Sequence, residues 1–270
     1  MYGLIVIDNS ALRYLARPEG RARFKANCRV ADLVIHASAI NAMEAGAAPE
    51  WRANQLADLL RELASGRALL PPPDDLLRLA AQQVVEGATS FETGQTGFEW
   101  LLTDSRRRAE RAAEVKAIGE EIEGAFDTFH ANAHKEFRSF IRGAGQTDFM
   151  TDPEAFLEWF WERSDLPEPM ARATWQSIGS GTPFPGADIM SHEIWRLFLD
   201  GEAVALLERS MLSKRPRPVQ QKDLLQLLYL SGGGRRVLVS DDAPLLRVAR
   251  IVLTGRYQCA RAMHISEMTA

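Results

Sequence analysis

Cysteine is nearly absent: the 270 residues contain only Cys28 and Cys259. Two cysteines build neither a disulfide framework nor a zinc-knuckle spacing, and two buried free thiols in a reducing compartment are expected instead. Long apolar runs are also lacking. No stretch reaches the roughly 18 apolar residues of a membrane-spanning helix, and the first residues carry no basic segment ahead of a hydrophobic one, as a secretory signal would. Positive charge is not in excess either. Lys and Arg number 32 against 36 Asp and Glu, for a net charge of −4 and a pI near 5.8. Without a global basic field, any nucleic-acid binding has to use local patches. No internal repeat of useful period is present. What the chain does have is 46% hydrophobic residues and a length that buries a full core without covalent staples. The expectation is a soluble cytoplasmic protein with no membrane partner.

Its two ends share an alternation that the middle lacks. Gly3-Leu4-Ile5-Val6-Ile7 is uniformly apolar, as a strand buried on both faces would be, and Asp8 ends it. Ser10 to Ala16 reads as a helix stopped by Pro18-Glu19-Gly20. Val30 to Ile35 reads as a second strand. Ser38 reads as the cap of the next helix, with Ala39, Ala42 and Met43 inward and Glu44 beside them. A helix from Trp51 to Ala64, a brief strand at Ala68-Leu69-Leu70 and a helix capped by Asp74 or Asp75 follow. Close to the other end come a helix over 220–230, a tight turn at Gly232-Gly233-Gly234, a strand over 236–239, a helix over 243–252 and a last strand around 261–265. Between these parts the pattern is helical only. A long charged helix runs from about Glu99 to Arg142. Another opens at the cap Asp152 with Pro153 in its first turn and ends at Pro167 and Pro169, and a third spans Ser191 to Leu212. The alternation predicts a parallel sheet with crossover helices: an α/β frame of residues 1–86 and 216–270, interrupted by an all-helical insert over 87–215.

Four acids sit at the joints of that frame. Asp8 follows the first strand, Glu44 lies on the helix after the second, Asp223 opens Asp223-Leu224-Leu225, and Asp242 or its neighbour Asp241 follows Val237-Leu238-Val239-Ser240. The crevice at the carboxyl ends of parallel strands is the usual ligand site of an open α/β sheet. Carboxylates gathered there repel one another and retain protons unless a cation lies among them. Mg²⁺ and Mn²⁺ take such oxygen ligands, whereas zinc favours nitrogen and sulfur. Each acid also has a plain structural role open to it. Asp8 and the Asp241-Asp242 pair suit helix caps, Glu44 suits a solvated helix face, and Asp223 suits the positive end of a helix. Their order along the chain favours one shared site.

Basic groups stand near the acids. Arg13 and Arg17 are four apart on the helix after Asp8. Lys214, Arg215, Arg217 and Lys222 lead into Asp223, and Arg235 and Arg236 precede the strand ending at Ser240. The 214–222 cluster suits a phosphate track, with a solvated linker as the alternative. Arg106-Arg107-Arg108, among many acids, suits a salt-bridged helix face. His130 and His134 share a helix face, but Ala131 stands where a zinc peptidase needs glutamate. Phe156, Trp159, Phe160, Trp161 and Trp175 have the spacing of a helical core more than that of a base-stacking platform.

Four segments, in order, resemble the acid-bearing motifs of the PIN-domain nucleases. They are Leu4-Ile5-Val6-Ile7-Asp8-Asn9-Ser10, the stretch from Val34-Ile35-His36-Ala37-Ser38 to Glu44, Lys222-Asp223-Leu224-Leu225 with Tyr229-Leu230, and Val237-Leu238-Val239-Ser240-Asp241-Asp242 with Leu245. The segment from Leu60 to Leu70 is similar to the family's middle helix and short strand. The likeness covers a little over half the chain, and the helical insert departs from the compact family form. The resemblance implies a three-layer α/β/α fold around a central parallel sheet and a nuclease dependent on Mg²⁺ or Mn²⁺. It implies Asp8 and Asp242 as direct metal ligands, with Asp241 an alternative to Asp242, and Glu44 and Asp223 on a second ion or its waters. Ser10, Asn9 and Ser240 would support the carboxylates. RNA is the implied substrate, with DNA as an alternative. Two other roles remain open: a ribonuclease toxin neutralised by an antitoxin-like partner protein, and a non-catalytic protein-binding scaffold. A homodimer is also expected, since family members often pair.

Overall fold

The structure is a computed structural model. It describes residues 3–86, 97–120, 149, 152–163, 165–178, 183–211, 219–254 and 256–270. His130, His134, Lys214, Arg215 and Arg217 lie outside the described residues.

Four strands form one parallel sheet: β1 (Gly3–Ile7), β2 (Leu33–His36), β3 (Arg236–Ser240) and β4 (Ala260–His264), in the order β2-β1-β3-β4. Strands from opposite ends of the chain are therefore neighbours at its centre. Leu4 pairs with Arg236 and Ile7 with Val239. The edge strand β2 is prolonged by a single parallel bridge between Ser38 and Leu70, which is all that forms of the brief strand expected at 68–70.

The β-strand period of two sends successive side chains to opposite faces, and here each face has its own core. Ile5, Ile7, Leu33, Ile35, Val237 and Val239 face one core. Helices α1 (Asn9–Leu15), α2 (Pro18–Val30), α3 (Ala39–Ala47) and α4 (Glu50–Ala64) contribute to it, as does the short α6 (Trp100–Thr103). Val6 and Leu238 face the other. That side is covered by α5 (Pro73–Glu86), α8 (Pro153–Glu162), α9 (Pro167–Ile178), α10 (Glu193–Met211), α11 (Gln221–Leu225) with its 3-10 continuation Gln226–Leu230, and α12 (Ala243–Leu253). Residues 105–120 form α7. Covering both faces explains why β1 reads as an unbroken apolar run.

Helix α10 is the keystone of the second face. It is buried nearly all round, with Trp195, Leu197, Leu199, Ala203 and Val204 fully enclosed and the charged Asp200, Glu202 and Glu208 buried among them. It packs on α12, α5, α8, α9 and the 226–230 turn. Residues of the segment expected as an insert thus share one hydrophobic cluster with Val6 and Leu238 of the sheet. The aromatic residues of α8 are core, as their spacing indicates: Phe156 and Phe160 are fully buried, and Phe149 stacks edge-on against Phe156 at 5.4 Å between ring centroids.

Prolines account for two departures from the expected helix limits. Pro18 opens α2 and Pro167 opens α9, although both read as terminators in the sequence. A first-turn proline lacks only an N–H that has no helical partner, and its φ is already helical. The expected 99–142 helix is interrupted at Asp104, between α6 and α7. Asp74 and Asp75 lie inside the first turn of α5 and do not precede it. Cys28 is buried and Cys259 exposed, so only one of the two free thiols is enclosed as expected. Burial pushes the Cys28 thiol up to about 12. The triple glycine is indeed a turn: Gly232, Gly233 and Gly234 all have positive φ, at 95°, 70° and 72°, a run that only glycine adopts without steric cost. Among the described residues, no helix is long and apolar enough to cross a membrane.

Candidate carboxylate site

The central strands β1 and β3 both end at the same edge, and their chains leave it in opposite directions. From β1 the path runs through α1 and α2 to β2, and from β3 it runs through α12 to β4. A crevice opens where connections diverge in this way. Asp8 is pinned there by its backbone N–H, which donates to Val239 O at 2.8 Å. Its side chain is buried at 2% exposure and fully engaged. Oδ1 accepts from Gln226 Nε2 at 2.8 Å. Oδ2 accepts from Ser240 Oγ at 2.8 Å, from Ser10 N at 3.2 Å and from Ser10 Oγ. The two serine oxygens lie 3.0 Å apart. Ser10 Oγ accepts the backbone N–H of Asp241 and Ser240 Oγ that of Asp242, each at 2.9 Å. Two hydrogen bonds through one hydroxyl therefore connect Asp8 to Asp242. Asp242 in turn caps α12, its Oδ1 accepting from Leu245 N at 3.0 Å.

The second half of the site hangs from α3. Ser38 and Asn41 form a capping box at its start, and Asn41 Nδ2 donates to Ile7 O at 2.9 Å and to Asn9 Oδ1 at 3.1 Å. Asn9 Nδ2, so oriented, donates to Glu44 Oε2. Lys222 Nζ lies 3.2 Å from Glu44 Oε1. Burial raises the proton affinity of Glu44, and Lys222 and Asn9 oppose that rise without cancelling it. Asp223 is buried, and no hydrogen bond to its carboxylate forms among the described residues. Its pKa is pushed up to about 8, first by burial and then by the charges of Asp8, Glu44 and Asp242, with Lys222 pulling the other way. The four acids expected from the sequence are thus close enough to act on one another electrostatically.

Asp8, Asn9, Ser10, Glu44, Lys222, Asp223, Ser240 and Asp242 are brought together. Asp241 turns outward, its Oδ1 2.9 Å from His264 Nε2 at the end of β4. Arg13 is exposed on α1. Arg17 does not continue that helix: it lies at the start of α2 in an extended conformation. Arg235 and Arg236 lie at the amino end of β3, away from the acids, where Arg235 Nη1 donates to Ala31 O at 2.8 Å. Of the Arg106-Arg107-Arg108 run, Arg108 is buried, donating to Leu101 O and Asn54 Oδ1, while Arg106 pairs with Glu110 on the surface. Three site residues escape a reading of the sequence: Gln226, Asn41 and His264. Gln226 left a trace, as the one polar residue within Leu224-Leu225-Gln226-Leu227-Leu228, one helical turn beyond Asp223. Asn41 left another, three residues after a capping serine.

The donor set suits a hard divalent cation. It consists of oxygens, and it includes a buried Gln226 Oε1 with no hydrogen-bond partner among the described residues and the Asp223 carboxylate. The arrangement itself is not closed around a single point: among the described residues no three His, Cys, Asp or Glu side chains stand as a ready coordination set. Asp8 is occupied by its donors and Glu44 by Lys222.

No family model, curated protein or solved structure matches the chain.

Proposed function

We propose that this protein is a PIN-like nuclease that hydrolyses phosphodiester bonds, in RNA by preference, with Mg²⁺ or Mn²⁺. The observation that carries the reading is the gathering of acids from the two ends of the chain in one crevice, where burial first and then the charges of Asp8, Glu44 and Asp242 push the Asp223 pKa up to about 8. Buried carboxylates that raise one another's pKa in a crevice are a recurring mark of functional sites. Asp8 and Asp242 would hold the ion, with Glu44 and Asp223 on a second ion or on its waters. A bound divalent cation supplies an acidified water and stabilises charge on the phosphoryl oxygens. The chain's own groups prepare that chemistry. Ser10, Ser240 and Gln226 fix the Asp8 carboxylate in place, and Asn41 fixes Asn9, which fixes Glu44. Such supporting hydrogen bonds set ligand direction. Asp223 gives up its proton when positive charge arrives.

A second reading has an observation of its own. The Lys222–Glu44 pair at 3.2 Å and the saturated Asp8 partly neutralise the acids from within, which suits a scaffold that has no need of an ion.

Thermal melting with increasing Mn²⁺, read beside cleavage of labelled RNA and DNA, separates the two. A nuclease cuts and is stabilised by the ion through mass action, and Asp8→Asn/Asp242→Asn loses both properties. A wild-type protein that neither cuts nor gains stability supports the scaffold.

A further inference from the structure

Beside the acids lies a cavity of about 550 Å³, walled by α3, the start of α5, α7, the end of α9, α10 and α11. That volume falls within the usual span of ligand pockets. Its walls are largely apolar, with Met43, Leu77, Phe198 and Leu225 among them, and Glu44 and Lys222 belong to both the cavity and the carboxylate site. A molecule that fills it therefore reaches Glu44 and Lys222 of that site. We propose that this cavity receives the base of the nucleotide adjoining the cleaved bond. The inference rests on the nuclease reading and gives that site its substrate anchor.

The chemistry matches a base better than any other part of a nucleic acid. A nucleobase offers two flat faces of low polarity and a polar edge, while the sugar-phosphate is charged and hydrated. A recess with apolar side chains and with Glu44 and Lys222 in its lining takes the first and leaves the second beside the carboxylates. Seating the base positions the neighbouring phosphate, a use of binding energy away from the reacting atoms to orient those atoms. Ile40, Met43, Leu77 and Leu225 supply apolar wall against which the flat faces of a base can lie.

Gly119 provides a handle outside the acidic machinery. It lines the cavity, and a Cβ added there meets nothing within 4 Å, so a side chain can start from this position without a clash at its first atom. The experiment maps the bond cut in a labelled RNA oligomer in Mn²⁺, then compares that oligomer with copies carrying an abasic nucleotide on either side of the bond. For wild type, one abasic copy should show a KM higher by about tenfold or more, the penalty typical of an unfilled apolar pocket. Gly119→Phe, checked for an unchanged melting transition, should impose the same rise on the intact oligomer and none further on that abasic copy. Equal KM values for the intact oligomer and both abasic copies in wild type overturn the base pocket while leaving the nuclease standing. Absence of cleavage of the intact oligomer overturns the nuclease reading, and the pocket with it.

Discussion

Ser240 Oγ lies 2.8 Å from Asp8 Oδ2, a contact that spans 232 positions of sequence. The same oxygen accepts the backbone N–H of Asp242 at 2.9 Å. One hydroxyl therefore fixes the end of β3 against the end of β1 and sets two of the four acids relative to each other. Its position is dictated by the sheet: β1 and β3 pair in parallel with Ile7 opposite Val239, so the residue after each sits at the same edge. Ser240→Ala leaves a buried carboxylate short of a donor and an amide short of an acceptor. A loss of roughly 1–3 kcal/mol is expected for such a deletion, together with loss of cleavage. Urea unfolding of the variant within 0.3 kcal/mol of wild type would show that the contact stabilises nothing.

Asp8 and Asp223 should respond in opposite ways to the same substitution. Charge repulsion alone suggests that Asp8→Asn relaxes the site. The structure instead surrounds Asp8 with donors from Ser10, Ser240 and Gln226, and an amide placed there turns an N–H toward an N–H or O–H. A net loss of about 1–3 kcal/mol is expected, as for hydrogen bonds to a charged group. Among the described residues no donor reaches the Asp223 carboxylate, and burial and three nearby acids outweigh Lys222 in favouring its protonated form, so Asp223→Asn should leave the protein as stable or more so at neutral pH without metal. Equal destabilisation by the two variants, measured side by side, contradicts this difference in surroundings.

The metal-free protein should lose stability as pH rises. An unfolded aspartate titrates near 3.9, whereas folded Asp223 keeps its proton up to about 8. Between those values the folded state binds the extra proton, so this contribution is complete below the lower value and vanishes as pH climbs through the upper one. The slope is at most ~1.4 kcal/mol per pH unit for one group. Urea midpoints from pH 5 to 8 in chelator should fall for wild type and fall less for Asp223→Asn. Parallel profiles for the two proteins would remove Asp223 as the source.

Lys222 sets an internal charge against any added one. Its ammonium is 3.2 Å from Glu44 Oε1 and also lowers the proton affinity of Asp223. Replacing it with methionine keeps the chain's bulk and removes the cation. A divalent ion then meets more negative charge, so Mn²⁺ affinity should rise several-fold, in line with Coulomb attraction at partly buried sites, while RNA affinity falls with the lost phosphate partner. Calorimetric titration of Mn²⁺ and an RNA mobility shift read the two effects separately. Weaker Mn²⁺ binding by Lys222→Met would mean that Lys222 supports the ion site.

Strands β1 and β3 could be read from the sequence because each is a short apolar run that stops at a polar joint, Asp8 after the first and Ser240-Asp241-Asp242 at the end of the second, a local signal. What was not legible depends on contacts distant in sequence. Gln226 donates to a residue 218 positions away, and nothing local separates it from a core glutamine on an apolar helix. His264 meets Asp241 only because β4 lies beside β3 in register, with His264 opposite Ser240. Pro18 and Pro167 were misread for a local reason: proline ends one helix and begins the next with the same geometry. The role of α10 is hidden by its own composition, since Arg196, Asp200, Glu202, Glu208 and Arg209 interrupt its apolar residues and do not mark it as a buried helix.

That role leads to a prediction about how the chain unfolds. Asp200, on α10, is fully buried. It accepts from Trp161 Nε1 of α8 at 2.5 Å and from Tyr257 OH, ahead of β4, at 3.0 Å, with Arg256 Nη1 3.7 Å away. Burial raises its proton affinity, and these partners oppose that shift. One carboxylate thus ties two helices of the middle segment to the strand at the edge of the sheet. Asp200→Ala leaves the indole N–H and the phenol without their acceptor and the Arg256 guanidinium without its ion-pair partner, and a cost of roughly 3–5 kcal/mol is expected for breaking a buried pair on one side. If the helical segment and the sheet form one cooperative unit, that cost should lower a single transition, seen at the same denaturant concentration by tryptophan fluorescence and by far-ultraviolet circular dichroism. Every tryptophan except Trp51 lies in the helical middle of the chain, so fluorescence reports mainly on that part while dichroism reports on the whole. A fluorescence transition that moves alone, leaving a later dichroism step in place, would mean that the middle helices unfold independently of the α/β frame and that the Asp200 contacts are a clasp between two separable parts.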